Sequence, residues 1–188
     1  MHTRLRFAIL GTLALAASAT PALAQRTAPP PPAPLQAAIG DPEDFTLRAS
    51  ARLRYEVLDG QPRAGFRQSE QQLDLRSTLF AEYDPGVIRI GSELYDSRAW
   101  LTRPGTTLST GEVNTFELVQ AYVGGDLADA LGEGSSLGLQ AGRFTLNLGS
   151  RRLVAADDYR NSTNGYTGLR TDASLPGGVT LTGIYVLP

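Results

Sequence analysis

Several arginines of this chain lie at polar positions of stretches in which apolar and polar residues alternate. Arg48, Arg52 and Arg54 alternate with aliphatic residues, and Arg76 and Arg89 have the same setting. Successive side chains of a β-strand point to opposite faces, so this spacing gathers the guanidinium groups on one face. A guanidinium binds a carboxylate through two parallel hydrogen bonds, and a ladder of them could pass a chain of carboxylates from one site to the next.

Acidic residues lie between these arginines on the same predicted face. Their carboxylates would hold the guanidiniums in position and limit how tightly any one anion is retained, because conduction requires several weak sites. The candidate anion-binding residues are Arg48, Arg52, Arg54, Arg76, Arg89 and Arg170, with Asp74 and Glu93, and with Arg98 near a strand end. The same pattern is typical of an ordinary solvated channel interior, and codon bias is an alternative explanation for the absence of lysine.

The composition of the 188-residue chain excludes most familiar catalytic sites. There are no cysteines and no lysines, and the single histidine is His2. Thiol catalysis, cysteine-ligated metals, Ser-His-Asp systems and lysine-dependent phosphate loops are therefore not expected. The adjacent Asp157 and Asp158 could pair as acid and base, but neighbours on a strand point to opposite faces and would not share a substrate. We expect no enzyme activity, no metal and no cofactor.

The first 24 residues have the three parts of a secretory signal peptide. Arg4 and Arg6 precede an apolar run at 7–19, and Ala22 and Ala24 stand at the positions that signal peptidase reads. The run is shorter than the about 20 residues that a spanning helix needs. Cleavage after Ala24 leaves 15 arginines against 19 acidic residues, a net charge of −4. That balance disfavours nucleic-acid binding.

Residues 25–42 form a proline-rich leader that holds six of the twelve prolines. Proline lacks the amide donor and fixes φ, so we expect neither helix nor sheet in this leader. We interpret it as an extended periplasmic spacer. The third part of the chain, residues 43–188, changes to alternating apolar and polar residues.

This alternation predicts seven strands, at residues 45–56, 71–83, 87–100, 114–124, 136–148, 166–175 and 179–187. In the fourth strand, Phe116, Leu118, Gln120 and Tyr122 are expected to share one side. Arg143 interrupts the alternation of apolar and polar residues in the fifth strand, which predicts a twist or bulge there.

The lengths and connections of these strands indicate an antiparallel membrane β-barrel. Strands of about 10 residues or more suit a tilted crossing of a bilayer. Compact turns at 84–86, 127–134 and 176–178 alternate with longer polar loops at 60–69, 103–113 and 151–165, as in outer-membrane barrels. Because such barrels have even strand numbers, seven strands are expected to be the N-terminal part of a larger barrel. The alternative is a secreted β-sandwich or small β-barrel that binds a ligand or partner without forming a pore.

Several short motifs occur in a distinctive order. Residues 142–144 read Gly-Arg-Phe, residues 149–154 read Gly-Ser-Arg-Arg-Leu-Val, and residues 158–161 and 166–170 read Asp-Tyr-Arg-Asn and Tyr-Thr-Gly-Leu-Arg. Upstream stand Arg-Leu-Arg-Tyr-Glu at 52–56, Glu-Leu-Tyr-Asp-Ser-Arg at 93–98 and Gln-Ala-Tyr-Val at 120–123. Over residues 45–187 this order resembles the alginate-export family of outer-membrane porins.

The resemblance implies a large barrel of about eighteen strands with an arginine-lined conduit for the polyuronate alginate. Carried over position by position, it makes Arg143, Arg152 and Arg170 the best candidates for contacts in the lumen. The implied location is the cell outer membrane, with lipid around the barrel and anionic polysaccharide or small anions inside it. Export partners in the periplasm are a further possibility, and nucleic acid is not a partner.

Overall fold

The computed structural model describes residues 34–60, 62, 64–106, 109, 111–152, 154–156 and 159–187. The described residues all belong to one compact unit. The predicted signal peptide and residues 25–33 of the predicted leader lie outside them. No helix among the described residues is long and apolar enough to cross a bilayer.

Seven antiparallel strands form a single sheet in which each strand pairs with the next in the chain. They are β1 (Phe45–Leu58), β2 (Glu70–Tyr83), β3 (Arg89–Trp100), β4 (Asn114–Ala128), β5 (Ser136–Phe144), β6 (Tyr166–Leu175) and β7 (Val179–Leu187). This confirms the predicted all-β meander of seven strands. The largest boundary differences are that β4 continues to Ala128 and that β5 ends at Phe144, four residues before the predicted end.

The two faces of the sheet have opposite chemistry. One face, which we call the aliphatic face, carries side chains such as Leu53, Leu79, Ile90 and Leu169, which are 67%, 44%, 57% and 55% exposed. The other, the polar face, carries the predicted arginines of β1 and β2. Burial of a few apolar side chains occurs on the polar face instead, where Phe80 is 8% exposed. Exposed aliphatic side chains at this density are what a lipid-facing barrel wall requires.

Short and long connections alternate around the sheet as predicted. The short connections lie at one end of the strands and comprise residues 84–88, 129–135 and 176–178. The long connections lie at the opposite end and comprise residues 59–69, 101–113 and 145–165. In the first short turn the carboxylate of Asp84 accepts a hydrogen bond from the amide of Gly86 at 3.1 Å. The three long connections contain enough residues to fold back over a face of the sheet.

The pairing of β3 with β4 is irregular, and this changes the predicted faces of β4. Leu118 pairs with Leu94 and Gln120 with Glu93, so Val119 is an extra residue between two successive pairs. A bulge of this kind reverses the alternation. Leu118 therefore belongs to the aliphatic face and Gln120 to the polar face, and the prediction that they share a side is wrong.

Of the twist or bulge predicted at Arg143, the bulge is absent from the strand pairing. Both pairs that involve β5 keep an unbroken register, with Arg143 opposite Ala121 and Thr167. The irregularity lies one residue earlier, where Gly142 has a φ of 125°. Only glycine adopts such a backbone conformation readily.

A one-turn helix, α1 (Pro34–Ala38), lies within the predicted leader. The expectation that this leader contains no helix is therefore wrong at its C-terminal end. Proline is tolerated in the first helical turn because that amide has no partner there, and the following Leu-Gln-Ala-Ala run favours helix. The side chain of Gln36 then docks on the edge of β1 that faces away from β2. Its Nε2 donates to the carbonyl of Phe45 and its Oε1 accepts from the amide of Leu47, both at 2.7 Å.

Replacing Gln36 with alanine should release α1 from the edge of β1. The variant loses the two hydrogen bonds to β1, each with a net contribution of about 1 kcal/mol, and a longer one at 3.4 Å to the carbonyl of Pro42. We expect the amide of Leu47 to exchange its hydrogen several-fold faster in the Gln36→Ala variant, as measured by mass spectrometry of the corresponding peptides. Gln71→Ala, an exposed glutamine of β2, is the control and should leave that rate unchanged. Equal rates in all three proteins would contradict this role of Gln36.

Candidate functional site: the arginine-rich polar face

The first group of charged side chains lies near the short turns, and we call it the turn cluster: Arg89, Asp126, Arg170 and Asp172. Nη1 of Arg89 lies 2.8 Å from Oδ2 of Asp126. Nε of Arg170 lies 2.6 Å from Oδ2 of Asp172. The two pairs share one recess of about 170 Å³, which Gln140 also lines.

The turn cluster has the chemistry of a weak anion site. A guanidinium has five N–H donors, and each carboxylate partner engages only part of them. The remaining donors can bind a passing carboxylate, while the resident carboxylates weaken its retention. Gly138 lies opposite both Asp126 and Asp172 in the register. A residue without a side chain at this position keeps the recess open.

An aromatic contact supports the wall beside the turn cluster. The ring of Tyr122 packs against Gly91 on the neighbouring strand, in the space that a Cβ at position 91 would need. The hydroxyl of Tyr122 donates a hydrogen bond to Glu82. Glu82 also lies 3.7 Å from Nε of Arg89, so this contact helps to fix the orientation of that guanidinium.

The middle of the polar face holds Arg48 and Glu93. The guanidinium carbon of Arg48 lies 4.4 Å above the ring of Phe80, a cation–π contact. The carboxylate of Glu93 accepts a hydrogen bond from Gln120 at 2.6 Å. Together with Ser50, Thr78 and Ala49, these four side chains line one shallow recess.

The third group lies nearest the long loops, and we call it the loop cluster: Arg52, Arg54, Asp74 and Arg76. Asp74 is fully buried and accepts hydrogen bonds from Nη2 of Arg54 at 3.0 Å and from Nε2 of Gln72 at 2.6 Å. The guanidinium of Arg76 lies 5.7 Å from the ring of Tyr95. Arg52 and Arg76 also donate to the carbonyl of Arg160, at 2.7 Å and 3.4 Å.

Tyr159, in the long loop after β5, joins the loop cluster. Arg54 donates to its carbonyl, and the guanidinium carbon of Arg54 lies 4.7 Å from the centre of its ring. Its hydroxyl donates to Glu56 at 3.0 Å. This hydrogen bond to a carboxylate raises the pKa of Tyr159, because the bond stabilises the protonated phenol.

Three predicted site residues lie outside the turn cluster, the middle group and the loop cluster. Arg98 is opposite Leu75 in the register and thus on the aliphatic face, where its Nε binds Asp96 at 2.9 Å. The prediction that Arg98 lines the polar face is wrong. Arg98 and Arg89 are an odd number of positions apart in β3, so their side chains point to opposite faces of the sheet. Arg143 donates to Glu117 at 2.7 Å and to the carbonyl of Leu118 at 2.9 Å. Arg152 is exposed in the loop after β5.

The sequence reasoning missed Asn161, which is fully buried. Its Nδ2 donates to the carbonyls of Leu75, Arg98 and Glu112 at 2.9, 3.1 and 2.9 Å. Asn161 does occur in one of the motifs that carry the family resemblance, but alternation cannot assign a loop residue to a face. The pair Asp157 and Asp158, considered for acid–base catalysis, lies outside the described residues. Within the described ranges, no group of three His, Cys, Asp or Glu side chains could hold a metal ion.

Comparison with known proteins gives one result that decides the family. The model of the family described as alginate export matches residues 43–187. The chain belongs to the alginate-export family. No curated protein and no solved structure matches it. The matched range contains all seven strands, so the family resemblance predicted from residues 45–187 is confirmed.

Membership of the alginate-export family gives the polar face its functional context. Alginate is a polymer of sugars that each carry a carboxylate, and the family is one of transport proteins rather than enzymes. Arg48, Arg89 and Arg170 of the polar face lie on three different strands, β1, β3 and β6. The loop cluster differs from these sites, because there backbone carbonyls already accept hydrogen bonds from Arg52 and Arg54.

Proposed function

We propose that this chain forms part of the wall of a passive outer-membrane channel for anionic polysaccharide of the alginate type or for small anions. The proposal is carried by the recess in which Arg89 and Arg170 of the turn cluster lie together on the polar face. The aliphatic face then contacts outer-membrane lipid. Residues 1–24 direct export, residues 25–42 form the periplasmic leader, and periplasmic export proteins are potential partners.

The single sheet favours a barrel wall over the alternative of a soluble β-sandwich. All seven strands of the described residues belong to one layer, and the aliphatic side chains of that layer are exposed. A sandwich would bury this face against a second sheet. The predicted lumen contacts of Arg48, Arg143 and Arg152 belong to the same proposal, with the strongest support for Arg89 and Arg170. Arg52, Arg54 and Arg76 also face the lumen in this proposal, but they donate to the carbonyls of Tyr159 and Arg160.

Neutralising the two arginines of the turn cluster should reverse the charge preference of the channel. In Arg89→Gln/Arg170→Gln, Asp126 and Asp172 have no compensating charge. We expect the reversal potential in a salt gradient to change from the sign of an anion-preferring pore toward that of a cation-preferring one, with a several-fold fall in the anion-to-cation permeability ratio. The measurement uses the full-length protein in planar bilayers.

Arg98→Gln is the matched control for this experiment. It removes one arginine charge from the aliphatic face and should leave the reversal potential as in the wild type. Wild-type protein that forms no channels would contradict the proposed function itself. Channels whose selectivity is unchanged in the double variant would contradict the role of the turn cluster.

A further inference from the structure

The long loop between β5 and β6 does not extend away from the sheet. Its residues 159–163, which we call the inner segment, lie across the polar face of β1, β2 and β3. Contacts reach Arg52 and Arg54 on β1, Leu75 and Arg76 on β2, and Ser97 on β3. If the polar face lines a channel, the inner segment lies inside that channel.

Asn161 fixes the inner segment to the sheet. Its side chain donates to carbonyls of β2, β3 and the loop after β3, as described above. Its own carbonyl accepts a hydrogen bond from Ser97 Oγ at 2.6 Å, and its amide donates to the carbonyl of Gly111 at 3.0 Å. Ser97 is fully buried, while Ser162 and Thr163 are each 7% exposed. Such complete burial of polar residues is stable only when hydrogen bonds replace those to water.

The same contacts change the role of the loop cluster. The carbonyls of Tyr159 and Arg160 accept hydrogen bonds from Arg52 and Arg54, so these guanidiniums hold a loop. The inner segment presents Tyr159, which is 71% exposed. A solute that moves along the polar face of β1, β2 and β3 passes this backbone and this ring.

We propose that the inner segment is a constriction element, latched by Asn161, which sets the upper size of the solutes that pass. This inference rests on the proposed channel function. Arg52, Arg54 and Arg76 act as positioning residues for the constriction, whereas the turn cluster remains available to anions.

Single-channel conductance of the full-length protein in planar bilayers tests the latch. Asn161→Ala removes three side-chain hydrogen bonds, and we expect conductance to rise about twofold or more as the segment leaves the pore. Asn164→Ala is the matched control, because Asn164 is an exposed asparagine in the same loop. Its conductance should equal that of the wild type. The size limit for neutral polymers added to the bath should rise only in Asn161→Ala.

A second pair of measurements keeps the inference testable if Asn161→Ala does not fold, as judged by heat-modifiable migration on gels. Ser97→Ala removes only the hydrogen bond to the carbonyl of Asn161 and should raise conductance by a smaller factor. These 188 residues contain no cysteine, so Tyr159→Cys adds a thiol whose modification is compared with that of the unsubstituted protein. A bulky, charged, membrane-impermeant thiol reagent should then lower the conductance of that variant.

The outcomes separate the two proposals. If the wild type forms channels, and Asn161→Ala, Ser97→Ala and modification of Tyr159→Cys all leave the conductance unchanged, the constriction is overturned. The channel function then still stands. Absence of channels from the wild-type protein would overturn the channel function and the constriction with it.

Discussion

Replacing Gly142 with alanine is expected to disrupt the pairing of β4 with β5 and to lower the free energy of unfolding by several kcal/mol. Two effects add at this position. Gly142 has a φ of 125°, and an L-residue in such a region costs about 1–3 kcal/mol. A Cβ would also collide with the carbonyl of Ala121 and lie 2.8 Å from Cα of Tyr122. Overpacking against backbone costs about another 1–3 kcal/mol.

Urea unfolding of the protein in detergent or lipid vesicles measures this effect, with the heat-modifiable gel shift as a second readout. Gly132→Ala is the matched control, because Gly132 has a similar φ of 113° but no atom within 4 Å of its Cβ position. The control isolates the backbone strain, and the difference between the variants isolates the collision. Equal losses in the two variants would show that β4 and β5 can separate enough to accept a methyl group.

Removing the carboxylate of Asp74 should give the second large effect. Asp74 is fully buried beneath Arg54, and Gln72, which is 4% exposed, donates to both of its oxygens. Asp74→Ala leaves a charged group and an amide without this acceptor. Breaking such a pair costs about 3 kcal/mol or more. We expect a loss of that size in the free energy of unfolding, measured by urea titration.

Asp172→Ala is the control for Asp74→Ala, because it also removes a carboxylate bound to an arginine. The side chain of Asp172 is 46% exposed, and exposed pairs contribute about 1 kcal/mol or less. The loss should therefore be several times smaller than for Asp74→Ala. Similar losses would mean that water on the polar face screens both pairs alike, and that the loop cluster stabilises the sheet less than its burial indicates.

Gly142→Ala and Asp74→Ala test two different contributions to the stability of the sheet and its long loop. Gly142 lets two strands approach where the long loop leaves the sheet, and Asp74 holds Arg54, which in turn holds that loop. The polar face therefore combines two roles for one residue type. Arg89 and Arg170 of the turn cluster pair with carboxylates, whereas Arg52 and Arg54 of the loop cluster donate to backbone carbonyls.

The sequence by itself determined the meander and most of the faces. Side chains alternate along a strand for purely local reasons, so the placement of Arg48 and Arg76 on the polar face, and of Leu53 and Leu79 opposite, could be predicted. The alternation of short turns and long loops follows from the same local signals. The order of the motifs likewise identified the family without any coordinates.

Only the tertiary structure decided where alternation stops and what the long loop does. Val119 adds one residue to β4, and a strand has no local signal for a bulge that depends on how it pairs with β3. Arg98 follows the alternation of β3, but whether it lies on the aliphatic or the polar face depends on the register with β2. The site of Asn161 is built from carbonyls of Leu75, Arg98 and Glu112, which are distant in the chain. Hydrogen bonds to distant backbone leave no periodic pattern, so the inner segment could be found only once the sheet had brought these groups together.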